Sequence, residues 1–142
     1  MNPPRPPFDS PHDPRSRRGD TPRPTGPPDS AAAARQRVCE LLLRAGVGLD
    51  SVMAADALLV TSELVTNAIR HGGGITHFRA DVAGDVLRLA VGDANPRLPV
   101  PRTGTAENPG GFGWPLIRRL SDHVACDARP DGKTITTALR LA

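Results

Sequence analysis

Apolar positions recur at helical spacing twice in the first half of the chain. Val38, Leu41, Leu42 and Ala45 follow the alanine run Ala31–Ala34, and Asp29 or Ser30 can cap the start. Gly46 and Gly48 end that helix. Asp50 or Ser51 opens a second, longer helix that runs to about His71, where Gly72-Gly73-Gly74 stops it. The period then changes. Ile75–Ala83 and Val86–Asp93 alternate, with Phe78, Ala80 and Val82, then Leu87, Leu89 and Val91, on one side. Around an Ala83-Gly84-Asp85 turn, that pattern predicts an antiparallel hairpin.

Residues 94–113 hold four prolines and four glycines and predict no regular element. A loop of that length inside a small domain is usually a functional lid. Pro115 suits the first turn of a short helix over Pro115–Asp122, with Leu116, Ile117 and Leu120 as its apolar positions. Val124–Cys126 and Thr134–Leu141 predict two further strands, joined through Arg129-Pro130-Asp131-Gly132. The order α, α, β, β, lid, α, β, β implies an α+β two-layer sandwich, with helices packed on one face of a mostly antiparallel sheet.

The second helix carries the most chemistry. On a wheel at 100° per residue, Ala57, Leu58, Val60, Leu64, Val65, Ala68 and Ile69 share one apolar arc. Asp56, Glu63 and Asn67 crowd one edge of it, within about 40° of each other. Glu63 and Asn67 are an i, i+4 pair, so they lie one turn apart on the same face. Polar groups at the border of a core need a partner. Asp93 poses the same question, because it shares the strand parity of Leu87, Leu89 and Val91.

Composition narrows the classes. The chain has 142 residues, a one-domain length, and ten of its 16 prolines fall in the first 30 positions. Residues 1–30 are Pro- and Arg-rich and nearly devoid of apolar side chains, so they are expected to be a disordered tail, leaving 31–142 as the domain. No apolar run is long enough to suggest a membrane span. Net charge is +3 and spread out, and four aromatics offer no stacking platform, so direct nucleic-acid binding is not expected. Seventeen of the eighteen basic residues are arginine, with Lys133 the single lysine, which reads as base composition rather than phosphate recognition. Cys39 and Cys126 are too few for a disulfide scaffold, and no CxxC holds a metal. A reduced, cytoplasmic protein is the default expectation.

Three signals stand in order: Glu63-Leu64-Val65-Thr66-Asn67 on a helix, Asp93 at a strand end, and Gly110-Gly111-Phe112-Gly113 before a helix. A glycine-rich turn before a helix lets backbone N–H groups reach a phosphate. An Asn oxygen is a hard ligand suited to Mg²⁺. A carboxylate one turn away can orient or deprotonate a nucleophile. A carboxylate on a pocket floor can accept a hydrogen bond from the amine of adenine. Each has a bland counterpart: Glu63 and Asn67 as helix-border polar residues, Asp93 as the cap of the next turn, the glycines as a flexible loop.

Taken together, these residues resemble the ATP-binding domain shared by gyrase, histidine kinases and the small bacterial anti-sigma-factor serine kinases, the Bergerat fold. The stretch from Ala55 to Gly72 is similar to the family's N-box, and Asp93 sits where the first glycine box has its adenine-binding Asp. Gly110–Gly113 with Leu116 and Ile117 resembles the second glycine box, and Gly132-Lys133-Thr134 the late strand whose Thr supports the adenine-contacting Asp. Two positions depart from the pattern. Asp93-Ala94-Asn95 replaces Asp-x-Gly, where Asn95 tolerates the left-handed backbone a glycine would take. Phe112 stands where an Arg is common.

The resemblance implies ATP and Mg²⁺ as cofactors, with Glu63 as general base and Asn67 as the metal-holding residue. It implies that Asp93, with Asn95 and Thr134, reads adenine, and that Gly111, Gly113 and Leu116 form the phosphate-facing box. The short length points to the anti-sigma kinase-like branch, with a sigma factor and an anti-sigma antagonist as partners, phosphorylation of the antagonist on Ser, and dimerisation as a family expectation. The alternative is a catalytically weak or inactive ATP-binding module that sequesters a partner.

Overall fold

The computed structural model describes residues 26–98 and 113–142. Residues 1–25 of the expected tail, and residues 99–112 of the expected lid, lie outside the described residues. Residues 26–30 lead into the domain, with Pro28 buried and the Gly26 carbonyl accepting a hydrogen bond from Arg37 Nη2 at 2.7 Å.

Helix α1 spans Ala31–Arg44 and α2 spans Val52–His71. Of the two capping candidates at each start, the serine acts. Ser30 Oγ accepts from Ala33 N at 3.1 Å, and Ser51 Oγ from Ala54 N at 3.2 Å. Beyond α1, Gly46 takes φ 80° and donates to Leu43 O while Val47 N donates to Leu42 O, so two of the last carbonyls of the helix are satisfied. The hairpin of β1 (Ile75–Ala83) and β2 (Val86–Asp93) closes through Gly84 and Asp85, with Gly84 at φ 63° in the first turn position.

Helix α3 occupies Gly113–Leu120 rather than Pro115–Asp122. Gly113 is therefore its first residue, and Pro115 still falls in the first turn, where its missing N–H costs nothing. Strands β3 (His123–Arg129) and β4 (Gly132–Arg140) are longer than their apolar runs predict. The Pro130-Asp131 turn is only two residues long, so pairing extends to Arg129 opposite Gly132. The four strands form one antiparallel sheet in the order β1-β2-β4-β3.

Core-facing residues of the sheet are Leu87, Leu89 and Val91 on β2 and Ile135, Thr137 and Leu139 on β4, all buried. They pack against Val38 and Leu42 of α1, Ala54, Ala57, Val60, Leu64 and Ala68 of α2, and Ile117 of α3. Each fully buried leucine contributes about 1.5–3 kcal/mol. Phe78 on the edge strand packs from the side, with the Arg37 guanidinium 5.8 Å from its ring centroid. This is the expected α+β arrangement of helices on an antiparallel sheet.

Helix α2 reaches 20 residues with a mean hydropathy of 1.4, so by length and composition it could cross a membrane, although no single apolar run within it is long. Here its apolar stripe faces the sheet, and seven of its residues are buried.

Candidate functional site

The length of α2 sets the frame. Glu63 and Asn67 lie half-buried on one face of it, and Asp56 one further repeat back is half-buried too. Helix α3 arrives over that face with its first residue. A β-carbon added at Gly113 would lie 2.5 Å from Glu63 Oε2 and 3.6 Å from Asn67 Oδ1. The positive pole of α3 thus meets the Glu63 carboxylate, a favourable pairing. Glu63, Asn67 and Gly113 are brought together. Leu116 is half-buried one turn along α3, and Trp114 packs on the core. Gly111, expected in the same group, lies outside the described residues with Gly110 and Phe112.

Asp93 lies further along, at the C-terminal end of the same helix. Its parity continues the apolar row of β2, so the side chain enters the interior and is 5% exposed. The end of α2 accommodates it through Gly72, where an added β-carbon would overlap Asp93 Cβ and Cγ. Gly72 has φ −104°, which any residue adopts, so glycine is needed there for space alone. Gly73 and Gly74, at φ 75° and 111°, make the turn into β1. Ala94 N then donates to Gly72 O at 2.8 Å, tying the strand end to the helix end.

Two expectations around Asp93 are corrected. Thr134 does not support it. The register sets Gly92 opposite Thr134 and Asp93 opposite Lys133, so strand alternation turns Thr134 to the other face of the sheet. Lys133 takes the supporting place, with Nζ 2.9 Å from Asp93 Oδ2 and 3.1 Å from Oδ1, its side chain 7% exposed. The Asp93-Ala94-Asn95 turn also manages without left-handed backbone, since Asn95 does not have positive φ. Asp93 Oδ1 accepts from Asn95 N at 2.9 Å, Asn95 Nδ2 donates to His71 O at 2.8 Å, and Lys133 Nζ donates to Asn95 O at 3.0 Å. Side-chain hydrogen bonds hold a turn that glycine would otherwise make by conformation.

Lys133, Gly72 and Gly132 are the residues the sequence reading missed. An added β-carbon at Gly132 would collide with the Asp93 carbonyl oxygen, so the close approach of β4 to β2 beside the carboxylate depends on it. Beside the site, Thr76 is an extra residue between the pairs Ile75–Asp93 and His77–Gly92, a bulge, and the His77 ring lies over Gly92. Cys126, on β3 opposite Ile135 of β4, is half-buried; burial pushes its thiol above the usual range, and nearby Lys133 opposes that rise.

Among the described residues, no three His, Cys, Asp or Glu side chains converge to hold a metal. A divalent ion there would be bound through Asn67 and non-protein oxygens. Mg²⁺ favours such a set, because it keeps waters and phosphate oxygens in its shell.

Residues 25–139 match the family model described as the histidine kinase-like ATPase domain. No curated protein matches the chain by sequence. Among solved structures, the histidine kinase domain of the Erythrobacter litoralis EL346 blue-light activated histidine kinase is similar at TM-score 0.50 and 20% identity, over 78% of this chain and 64% of that one. A longer structure of that kinase gives TM-score 0.50 and 21% identity, over 80% of this chain and 42% of that one. The catalytic domain of the histidine kinase ThkA gives TM-score 0.49 and 18% identity, over 62% and 68%.

Proposed function

The chain belongs to the histidine kinase-like ATPase domain family, an ATP-binding family, and on that premise we propose that ATP with Mg²⁺ lies along α2 between Glu63 and Asp93. One observation carries the reading. Gly113 meets Glu63 and Asn67 at one point of α2, and Gly72 meets Asp93 at its end. The nine steps from position 63 to position 72 rise about 13.5 Å at 1.5 Å each, a separation on the scale of an extended nucleoside triphosphate. The base would sit at Asp93, with Asn95 fixing the turn, and the phosphates at Gly113 and the start of α3, where Gly111 and Leu116 belong to the same box. Bound Mg²⁺ would supply charge neutralisation on the phosphates.

We further propose a regulatory serine kinase of the anti-sigma type, which binds a sigma factor and phosphorylates an anti-sigma antagonist. Glu63 takes the proton of the antagonist's serine hydroxyl as that oxygen bonds to the terminal phosphorus and the bond to ADP breaks. Asn67 holds the metal and Gly113 lets the backbone approach. Incubation with γ-labelled ATP and a candidate antagonist tests it: label moves to the antagonist in the wild type and not in Glu63→Ala.

A second reading is an ATP-binding module that sequesters a partner without transfer. It draws support from the two departures from the family pattern, Asn95 in place of the first-box glycine and Phe112 where an Arg is common. In that case ATP·Mg²⁺ raises the melting temperature and no label leaves the nucleotide.

A further inference from the structure

Lys133 has three protons and three oxygen acceptors around it: Asp93 Oδ2 at 2.9 Å, Asp93 Oδ1 at 3.1 Å and the Asn95 carbonyl at 3.0 Å. An ammonium has three N–H donors and no acceptor; one N–H can serve both oxygens of a single carboxylate, so at least two of the three are engaged here. The same count applies to the carboxylate, which has about four lone-pair positions. Oδ1 takes Lys133 and the Asn95 N–H, while Oδ2 takes Lys133. Among the described residues, one acceptor position remains, and it is on Oδ2. Both side chains are buried, and Gly72 packs against Cβ, Cγ and Oδ2 of Asp93 while Lys133 and Asn95 hold its oxygens, so the carboxylate has little room to turn and present another edge.

We propose that Lys133 is a specificity-determining residue for the base. It leaves Asp93 a single acceptor position, which admits adenine through one exocyclic N–H and shuts out guanine. Guanine placed like adenine would point its O6 acceptor at the carboxylate. Its alternative mode, N1–H and N2–H on the two oxygens at once, needs a free position on Oδ1, and Lys133 with Asn95 fills both. A polar group left unpaired in a buried site is what makes such discrimination steep. The inference rests on the reading of Asp93 as the base-binding residue.

The test is equilibrium binding of ATP, GTP, N6-methyl-ATP and N6,N6-dimethyl-ATP, each with Mg²⁺, to the full chain and to Lys133→Met. In the wild type, ATP is expected to be preferred over GTP by at least about tenfold, and the dimethyl analogue, with no N–H, to bind at least about tenfold more weakly than ATP. N6-methyl-ATP keeps one N–H and is expected to bind within a few-fold of ATP. In Lys133→Met a position on Oδ1 is freed beside the one already free on Oδ2, and the ATP-over-GTP preference is expected to fall by about tenfold or more. Lys133→Arg keeps two N–H donors on the carboxylate and should restore the rejection of GTP.

Equal wild-type binding of ATP and GTP, or of ATP and the dimethyl analogue, overturns the proposal without any variant having to fold. An unchanged ATP-to-GTP ratio in folded Lys133→Met overturns the role of the lysine while leaving Asp93 as the base-binding residue. Binding of no purine triphosphate overturns the nucleotide reading itself and this inference with it.

Discussion

The first residue of α3, Gly113, stands so close to Glu63 that a β-carbon there would lie 2.5 Å from Oε2. Only the tip of a flexible side chain is in the way. Alanine in a helix is favoured over glycine by about 1 kcal/mol, which offsets the cost of moving that tip. Gly113→Ala is therefore expected to unfold in urea within about 1 kcal/mol of the wild type. Moving the proposed base is expected to slow labelled-phosphate transfer roughly ten- to a hundredfold. Unchanged transfer would separate Glu63 from the chemistry.

Glu63 and Asn67 share a face but not a task. Asn67→Ala is expected to abolish the melting-temperature rise given by ATP·Mg²⁺, because it removes the metal-holding oxygen. Glu63→Ala is expected to keep that rise and lose transfer. Isothermal titration with undiminished Mg·ATP affinity in Asn67→Ala would remove the metal assignment.

Gly72 faces the rigid part of Asp93 rather than a mobile tip. An alanine methyl there overlaps Cβ and Cγ, and neither can retreat while Lys133 holds the carboxylate. Gly72→Ala is expected to destabilise the fold by about 1–3 kcal/mol, as overpacking does, despite an ordinary backbone angle. Chemical denaturation measures it directly.

The Lys133–Asp93 pair is buried on both sides, so removing one member strands the other. Lys133→Met alone is expected to cost about 3–5 kcal/mol, whereas Lys133→Met with Asp93→Leu costs less than the single change. A double-mutant cycle in urea reads the coupling, and strict additivity would show that the two charges do not depend on each other.

Cys126 gives a pH-dependent probe of the same region. Burial raises its thiol pKa, so thiolate forms only above the usual cysteine range, and alkylation at neutral pH is expected to be slow. Lys133 opposes that rise, and in Lys133→Met the half-maximal alkylation rate should move to still higher pH. The sign for stability follows: a pKa raised by folding favours the fold below the ordinary thiol range and loses that contribution as pH climbs through the raised value.

Most elements of the fold were legible because their signals are local. Caps, glycine stops and the change of period from 3.6 to 2 placed α1, α2, β1 and β2 at or within a residue or two of their observed bounds. The third helix and last hairpin were less legible, since their ends depend on a two-residue turn and on pairing with β2. Within the site, the rule that a charge in a core-facing row needs a partner singles out Asp93 from the sequence. It holds equally for Lys133, which shares the parity of Ile135, Thr137 and Leu139. As the single lysine beside seventeen arginines it carries no compositional signal of a site. Gly72 was legible as a helix stop but not as a contact, because what it touches is 21 positions away in sequence.

The strand order has a consequence for how this domain is made. β4 is the last in sequence of the four described strands, yet it sits between β2 and β3. Until residues 132–140 have left the ribosome, β2 has an open edge, β3 has no neighbour, and the acid at position 93 waits without its counter-ion. The apolar faces of the helices are therefore expected to stay uncovered until that stretch emerges, and a chain cut short before it is expected to lose the fold rather than to carry a weakened one.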